Sequence, residues 1–330
     1  MRLLDHIAQC STPFVVSQDD GTLWRLSGAS DFAPRLQRCP LRYVLGDDLV
    51  RTCIALAYAG GDELGACLDL LHLPAEQVWI EWDEEVRRAE LRRWLPASDA
   101  PEAPAALRAG ALLSAHPGCR GGTLRTFWLP ADEPREPLLA PIETLLDLDA
   151  ATPAATSAEL LDGGCVSVGD PGSRPLEALL QCARFRLDGA WLRYYRATAT
   201  DAAARRDVIE RSLGAVAFDV PLLLALFLLL SIRADLMRVP VNPMRLNAKR
   251  LRLGRRPLLE HLEISAPVLA PPPAWRQEAA AGGRRGPRFH HVRGHLVRRR
   301  DTVYWRAPHC RGHLRLGSVR TRTVELGLPS

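Results

Sequence analysis

The residues best suited to chemistry lie close together near the C-terminus. Five of the nine histidines fall within residues 290–313, and one cysteine lies among them. Imidazole nitrogen and thiolate sulfur are the ligands that Zn²⁺ prefers in proteins. This histidine cluster therefore raises the possibility of a zinc site. The candidate ligands are His291, His295, His309 and Cys310.

Spacing argues against a metal ion held within one strand. His291 and His295 are four residues apart, which is roughly 13 Å in a regular strand, and one ion does not bridge that distance. Ligands can still converge from two strands if Gly294 kinks the first of them. We therefore expect no cofactor, with zinc as the alternative.

Arginines and two aromatic residues surround the same histidines. Guanidinium groups make charge-assisted contacts with phosphate, and aromatic rings stack on bases. A basic β segment with interleaved aromatic residues is typical of nucleic-acid binding. In a regular strand, Arg293, His295 and Arg299 share one face. The residues expected to contact nucleic acid are Arg293, Arg298, Arg299, Arg300, Tyr304, Trp305, Arg306 and Arg311.

Histidines beside arginines also suit acid–base chemistry, because imidazole titrates near neutral pH. The segments HVRGH and PHCRGH would then supply the acid and base of a metal-dependent phosphodiester hydrolase. The only nearby carboxylate is Asp301, at a predicted turn, and the chain contains no GxSxG, HExxH or GxGxxG motif. We expect a protein without catalytic activity and keep hydrolysis as an alternative.

The charge distribution separates two parts of the chain. Residues 1–232 carry a net charge of −10 and residues 233–330 a net charge of +15. Such a division predicts either that the basic part binds a polyanion or that the two parts attract each other. Arginine supplies 42 of the 43 basic residues, and its planar guanidinium suits phosphate.

Periodicity places these residues in an α+β fold. Asp47–Ala59 has helical spacing, Gln77–Trp82 alternates as a strand, and Trp191–Thr198 has the aromatic composition of a strand. The class predicted is α+β, with an N-terminal α/β portion, a helical middle with one buried apolar helix, and a C-terminal antiparallel β module. The predicted parts are an acidic α/β portion at 1–95, a linker at 96–105, a β-rich and then helical portion at 106–264, a Pro/Ala/Gly-rich linker at 265–288 and a basic β module at 289–330.

The strongest apolar run is Val220–Ile232, and its 13 residues predict a buried core helix. A helix that spans a bilayer needs ~20 apolar residues, so no membrane contact is expected. The opening MRLLDHIAQCSTPF lacks the apolar run of a secretory signal. These features predict a cytoplasmic protein with free thiols. The acidic and aromatic residues at 79–85 are expected to form a solvated rim, with a divalent cation as the alternative.

The C-terminal third of the chain resembles a set of uncharacterised phage and prophage proteins. The resemblance is carried by Leu246–Leu259 (LNAKRLRLGRRPLL) and by His290–Gly312, with its pattern HHVRGHLVRRR…VYWRAPHCRG. It implies a virus-encoded or prophage-encoded intracellular protein that handles nucleic acid, assembles virions or blocks a host defence. The leading hypothesis is nucleic-acid binding. The alternative is an interaction with a host or virion protein, with a homo-oligomer also possible.

Overall fold

A computed structural model describes most of the chain. It covers residues 1–18, 20–59, 64–95, 105–134, 136–149, 160–166, 179–198, 202–232, 236–266, 288–292, 295–299, 302–306, 309–311 and 313–318. These residues belong to two compact units, Met1–Ala266 and Pro267–Ser330. The predicted linkers at 96–105 and 265–288 lie largely outside the described residues.

The first unit contains eight α-helices, two short 3-10 helices and ten strands within the described ranges. The α-helices are α1 (Leu3–Gln9), α2 (Ala29–Arg38), α3 (Asp47–Ala59), α4 (Glu84–Leu91), α5 (Gly189–Ala197), α6 (Ala202–Ala217), α7 (Val220–Ser231) and α8 (Met244–Arg252). The strands are β1 (Phe14–Ser17), β2 (Leu23–Leu26), β3 (Leu41–Leu45), β4 (Gln77–Asp83), β5 (Ala106–Ala115), β6 (Gly121–Pro130), β7 (Leu138–Asp147), β8 (Ala183–Leu187), β9 (Met237–Val241) and β10 (His261–Ser265).

Eight of these strands form one mixed sheet in the order β8-β7-β6-β5-β4-β3-β10-β9. Strand β3 is parallel to β4 and to β10, and α3 lies between β3 and β4 in the chain. Strands β4 to β8 form an antiparallel meander, and β9 pairs antiparallel with β10 at the other edge. The predicted α+β class is confirmed, and one sheet joins strands from residues 1–95 and 106–264.

Helix α3 has the bounds that its sequence pattern predicts. Leu49, Cys53 and Ala57 recur at every fourth position and are buried, as are Val50 and Ile54 beside them. This spacing puts an apolar stripe on one side of the helix. The stripe packs against α4 and α7, so α3 closes one face of the core.

Helix α7 is the buried apolar helix that the sequence predicts. Every residue from Val220 to Leu229 is buried, and the helix packs against α3. Pro221 lies in its first turn, where a missing N–H disrupts no hydrogen bond. The stretch Arg206–Ser231 is long and apolar enough to cross a membrane, but 78% of its most apolar window is buried inside the protein. Its apolar surface is therefore used in the core.

The strand predicted over Trp191–Thr198 is wrong, because this segment forms α5. The Asp188 side chain caps the helix by accepting hydrogen bonds from its first backbone amides. Trp191, Tyr194 and Tyr195 then recur at helical spacing, and their rings contact one another. Aromatic side chains favour strands only weakly by themselves, and packing reverses the preference here.

Within its described residues, the second unit has five short strands. They are β11 (Arg288–Val292), β12 (His295–Arg299), β13 (Thr302–Arg306), β14 (His309–Arg311) and β15 (His313–Ser318). Strands β12 and β13 pair antiparallel, as do β11 and β14. The pair β11–β15 is parallel, which departs from the expected all-antiparallel module. Three strands lie between β11 and β15 in the chain, and this length permits a parallel connection.

Candidate nucleic-acid interface

Strands β12 and β13 form a hairpin that positions most of the predicted nucleic-acid residues. In an antiparallel pair, residues directly opposite each other lie on the same face. Successive residues of each strand alternate between the two faces. The opposed pairs are His295 with Arg306, Leu296 with Trp305, Val297 with Tyr304, Arg298 with Val303 and Arg299 with Thr302.

One face of the hairpin is basic and open. It carries His295, Arg299 and Arg306, all exposed, together with Tyr304, which is 37% exposed. Arg306 lies two residues beyond Tyr304, and Arg299 occupies the diagonal position on the other strand, roughly 7–8 Å away. Neither Arg299 nor Arg306 forms an ion pair within the described part of the chain. Two guanidinium groups therefore flank one aromatic ring on an exposed surface.

The opposite face is mainly apolar and supports the first. Val303 is 6% exposed, and Leu296 and Trp305 are half-buried beside it, whereas Arg298 is exposed. Tyr304 and Trp305 are adjacent in the sequence and so lie on opposite faces. The two predicted stacking residues do not form one platform, and only Tyr304 lies on the face of Arg299 and Arg306.

The remaining predicted contacts are placed only in part. Arg293 and Arg300 lie outside the described residues. Arg311 occupies a position in β14 opposite His290. The shared face predicted for His295 and Arg299 follows from their places in β12, four residues apart.

The histidine cluster is divided among strands of two small sheets. His291 in β11 lies opposite Cys310 in β14, and the next pair joins Val292 with His309. His295 lies in β12, opposite Arg306. Opposed Cα atoms are ~4.5–5.5 Å apart, so the register brings the backbones of His291 and Cys310 together. Among the residues the structure describes, no group of three or more potential metal ligands is assembled. The zinc site stays a prediction.

Most of the acidic and aromatic residues at 79–85 are buried, with Asp83 half-buried and Glu85 exposed, so the predicted solvated rim is wrong for the rest. Trp79, Trp82 and Glu81 are fully buried. Glu81 accepts hydrogen bonds from the backbone N–H groups of Leu3 and Leu4 at 2.9 and 3.0 Å, and it pairs with the guanidinium of Arg108. The carboxylate thus lies at the N-terminus of α1, where a negative charge is stabilised. Its role is structural.

A second buried carboxylate joins α4 to the core. Glu84 accepts two hydrogen bonds from Arg87, at 2.8 and 2.6 Å, and one from the indole N–H of Trp82 at 3.1 Å. Burial opposes ionisation of Glu84, but the guanidinium groups of Arg87 and Arg88 outweigh it and lower the pKa of this carboxyl. All of the partners of Glu84 are residues of the protein itself, so its buried ion pair with Arg87 stabilises the fold.

An aromatic cavity of about 270 Å³ is a feature that sequence reasoning missed. Its lining includes Phe14, Trp128, Trp191 and Tyr195, and the rings of Phe14 and Trp191 lie 5.7 Å apart. Ser27 also lines it, and its hydroxyl donates a hydrogen bond to Asp188 at 2.8 Å. The walls come from segments more than a hundred residues apart, so no local pattern indicates them.

Comparison of the chain with protein-family models, with curated proteins and with solved structures finds no match. The fold and the interface therefore define the protein only as an α+β protein with an exposed, basic, aromatic β hairpin. Its function is inferred from its own residues.

Proposed function

We propose that this protein binds nucleic acid through the exposed face of the β12–β13 hairpin, without catalysing a reaction. The observation that supports the proposal is the placement of Arg299 and Arg306 on either side of Tyr304. In keeping with the resemblance of its C-terminal third, we also propose that the protein is phage- or prophage-encoded and acts in the host cytoplasm.

The chemistry of this face suits a phosphate backbone with accessible bases. Guanidinium groups form short, charge-assisted hydrogen bonds with phosphate oxygens. An exposed tyrosine ring stacks on a base of a single strand. A two-stranded β ribbon also fits the major groove of a duplex. Val303 is buried and Trp305 is half-buried on the opposite face, so the two faces of the hairpin differ in exposure.

The net charge supports the same partner. Residues 233–330 carry a net charge of +15, whereas residues 1–232 are acidic. The exposed Arg299 and Arg306 are not neutralised by any described carboxylate. A polyanion is the partner that such an excess of positive charge attracts.

The proposal is tested by measuring the affinity of the full chain for labelled single-stranded and duplex 30-mers at several salt concentrations. The variant R299Q/R306Q should reduce the slope of log affinity against log salt by about 1.8 for a duplex, because each phosphate contact contributes about 0.9. Y304A should weaken single-strand binding by ~1–3 kcal/mol.

The matched control is R38Q/R92Q, which removes two exposed arginines that form no ion pair among the described residues. It makes the same change in net charge and should leave the slope close to that of the wild type. An affinity independent of salt, or equal slopes for the hairpin and control variants, would overturn the proposal. A stable complex with a host or virion protein and no nucleic-acid binding would favour the interaction alternative.

The metal-dependent alternative has one observation in its favour, the register that pairs His291 with Cys310. It predicts about one zinc ion per chain after purification without a metal-affinity tag. Elemental analysis and the 260/280 absorbance ratio of the same sample separate this alternative from co-purifying nucleic acid. Metal-free protein whose melting does not respond to added zinc would exclude a zinc site.

A further inference from the structure

A helical insertion at the edge of the large sheet carries positive charge that the hairpin proposal does not use. Strand β9 is the edge strand, and it pairs antiparallel with β10 from Met237 opposite Ser265 to Val241 opposite His261. The chain leaves the sheet after Val241 and returns at His261, and α8 lies between. We call residues 242–260 the basic arm.

Helix α8 has no buried residue. Its inner side is held by polar contacts, chiefly two reciprocal hydrogen bonds between the Asn247 side chain and the backbone of Leu258, at 2.7 and 3.0 Å. Arg250 also donates to the Gln9 side chain at 3.2 Å. An isolated helix of nine residues is marginal in water, and most helices gain stability by burying an apolar face. Helix α8 buries none.

The outer side of α8 is a stripe of cations. Arg245, Lys249 and Arg252 are spaced by four and three residues, so they lie on one face, opposite Asn247 and Arg250. All three are exposed, and none forms an ion pair within the part of the chain that the structure describes.

Helix α8 ends at Arg252; Gly254, whose φ of +65° suits glycine, turns the chain after it, and exposed Arg255 and Arg256 follow. Arg256 donates a hydrogen bond to the backbone oxygen of Gln9 at 3.1 Å, and this contact ties the end of the arm to α1. The cation stripe is therefore held in place by contacts at the middle of the helix and after its C-terminal end, while its outer side faces solvent.

The charge of the arm identifies the class of ligand. The arm contains six basic residues and one acidic residue, Glu260, so its surface attracts a polyanion. Arg245 and Arg252 are seven residues apart, which is roughly 10 Å along a helix. A nucleic-acid strand carries a negative charge every ~3.4 Å along its axis, so the three cations together span about three phosphate intervals.

The apolar residues of the arm argue against a membrane. Leu246 and Leu251 are 50% and 61% exposed, but they lie on opposite flanks of the cation stripe. A helix that binds the membrane interface needs one continuous apolar face, and α8 presents cations at the centre of its exposed side. On a nucleic acid, the same flanks can contact sugars and the methyl group of thymine.

We propose that the basic arm is a second nucleic-acid contact, in which Arg245, Lys249 and Arg252 bind phosphates of one strand. The nature of the ligand rests on the function proposed above. The residues are different and belong to the other compact unit of the chain, so the two proposals can fail separately.

The test uses the full chain and a labelled 30-base-pair duplex. The variant R245Q/K249Q/R252Q should reduce the slope of log affinity against log salt by about 2.7, since each phosphate contact contributes about 0.9. Its thermal unfolding should match the wild type, because none of the three side chains is buried. The matched control is R38Q/R92Q/R193Q, which makes the same charge change at exposed arginines.

The outcomes separate the two proposals. If the arm variant and its control share the wild-type slope while R299Q/R306Q weakens binding, the arm proposal is overturned and the hairpin proposal stands. If only the arm variant weakens binding, the reverse holds. A wild-type protein that does not bind the duplex overturns the arm proposal, and one that also fails to bind the single-stranded 30-mer overturns both. Arm-dependent binding to vesicles containing phosphatidylserine, without duplex binding, would assign the arm to a membrane and overturn the proposal.

Discussion

The Nη1 atom of Arg87 lies 3.4 Å from the Oδ1 atom of Asp219, yet neither carboxylate oxygen of Asp219 has a hydrogen-bond partner among the described residues. Arg87 instead directs its two best hydrogen bonds to Glu84. Burial raises the pKa of Asp219 to about 7, and the nearby Glu84 charge adds to that effect, although Arg87 opposes it. One buried cation is thus shared unequally between two acids.

Asp219 should make the stability of the protein fall as the pH rises towards 7. Its ordinary pKa of 3.8 applies to the unfolded chain, so between these pH values the folded protein holds a proton that the unfolded chain has lost. The free energy of unfolding should therefore decrease by up to about 1.4 kcal/mol per pH unit in this window. Asp219→Asn should remove this component, as measured by urea unfolding at pH 5, 6 and 7.

The control for this experiment is Asp207→Asn, which alters an exposed carboxylate paired with Arg211 on α6. The free energy of unfolding of this variant should change with pH in the same way as that of the wild type. If the Asp219→Asn profile is also parallel to the wild-type profile, Asp219 does not hold the additional proton.

Glu81→Gln should be strongly destabilising. The substitution leaves the largely buried guanidinium of Arg108 with only the more distant carboxylate of Asp83, at 3.8 Å, and it weakens the acceptor for the backbone of Leu3 and Leu4. Breaking a buried ion pair by removing one partner typically costs about 3–5 kcal/mol. Chemical denaturation measures the loss.

Glu263→Gln is the matched control, because Glu263 pairs with Arg2 at 2.7 Å but its side chain is 44% exposed. Exposed pairs typically contribute about 0–1 kcal/mol. Similar, small losses for both variants would show that Glu81 does not anchor α1.

Two glycine-to-alanine substitutions should have opposite effects. At Gly110, in β5, a Cβ atom would lie 2.5 Å from Cζ2 of Trp79 and 3.0 Å from the backbone oxygen of Ile80. Overpacking of this kind costs about 1–3 kcal/mol. At Gly214, in α6, a Cβ atom meets nothing within 4 Å, so alanine should stabilise the helix by about 0.5–1 kcal/mol. If the melting temperatures of Gly110→Ala and Gly214→Ala shift in the same direction, the close packing of Gly110 against Trp79 is contradicted.

Leu226→Ala tests whether α7 is the centre of the core. Leu226 is fully buried, and its truncation should cost about 2–5 kcal/mol through lost contacts and an internal cavity. Leu226→Asp should give insoluble protein, because an unpaired charge is not tolerated there. The control is Leu251→Ala on α8, where the side chain is exposed and the free energy of unfolding should not change. Folded, soluble Leu226→Asp protein would contradict the burial of this helix.

The sequence by itself was sufficient for features that depend on local spacing. The helix at Asp47–Ala59, the strand beginning at Gln77 and the buried helix beginning at Val220 all follow from the periodicity of apolar residues. The basic and aromatic residue types of the hairpin, including Arg299 and Tyr304, were also evident. Each of these features depends on residues that are close together in the sequence, so the order of residue types is sufficient to predict it.

Only the tertiary structure decided which of these residues act together. The register of β12 against β13 puts Tyr304 with Arg299 and turns Trp305 to the apolar side. The burial of Glu81 depends on Arg108 from β5 and on the start of α1, and the aromatic cavity depends on segments distant in the chain. The segment Trp191–Tyr195 forms a helix because its N-terminal cap and the packing of its aromatic rings favour one. These outcomes arise from long-range contacts and side-chain packing, which override local propensity and leave no periodic signal in the sequence.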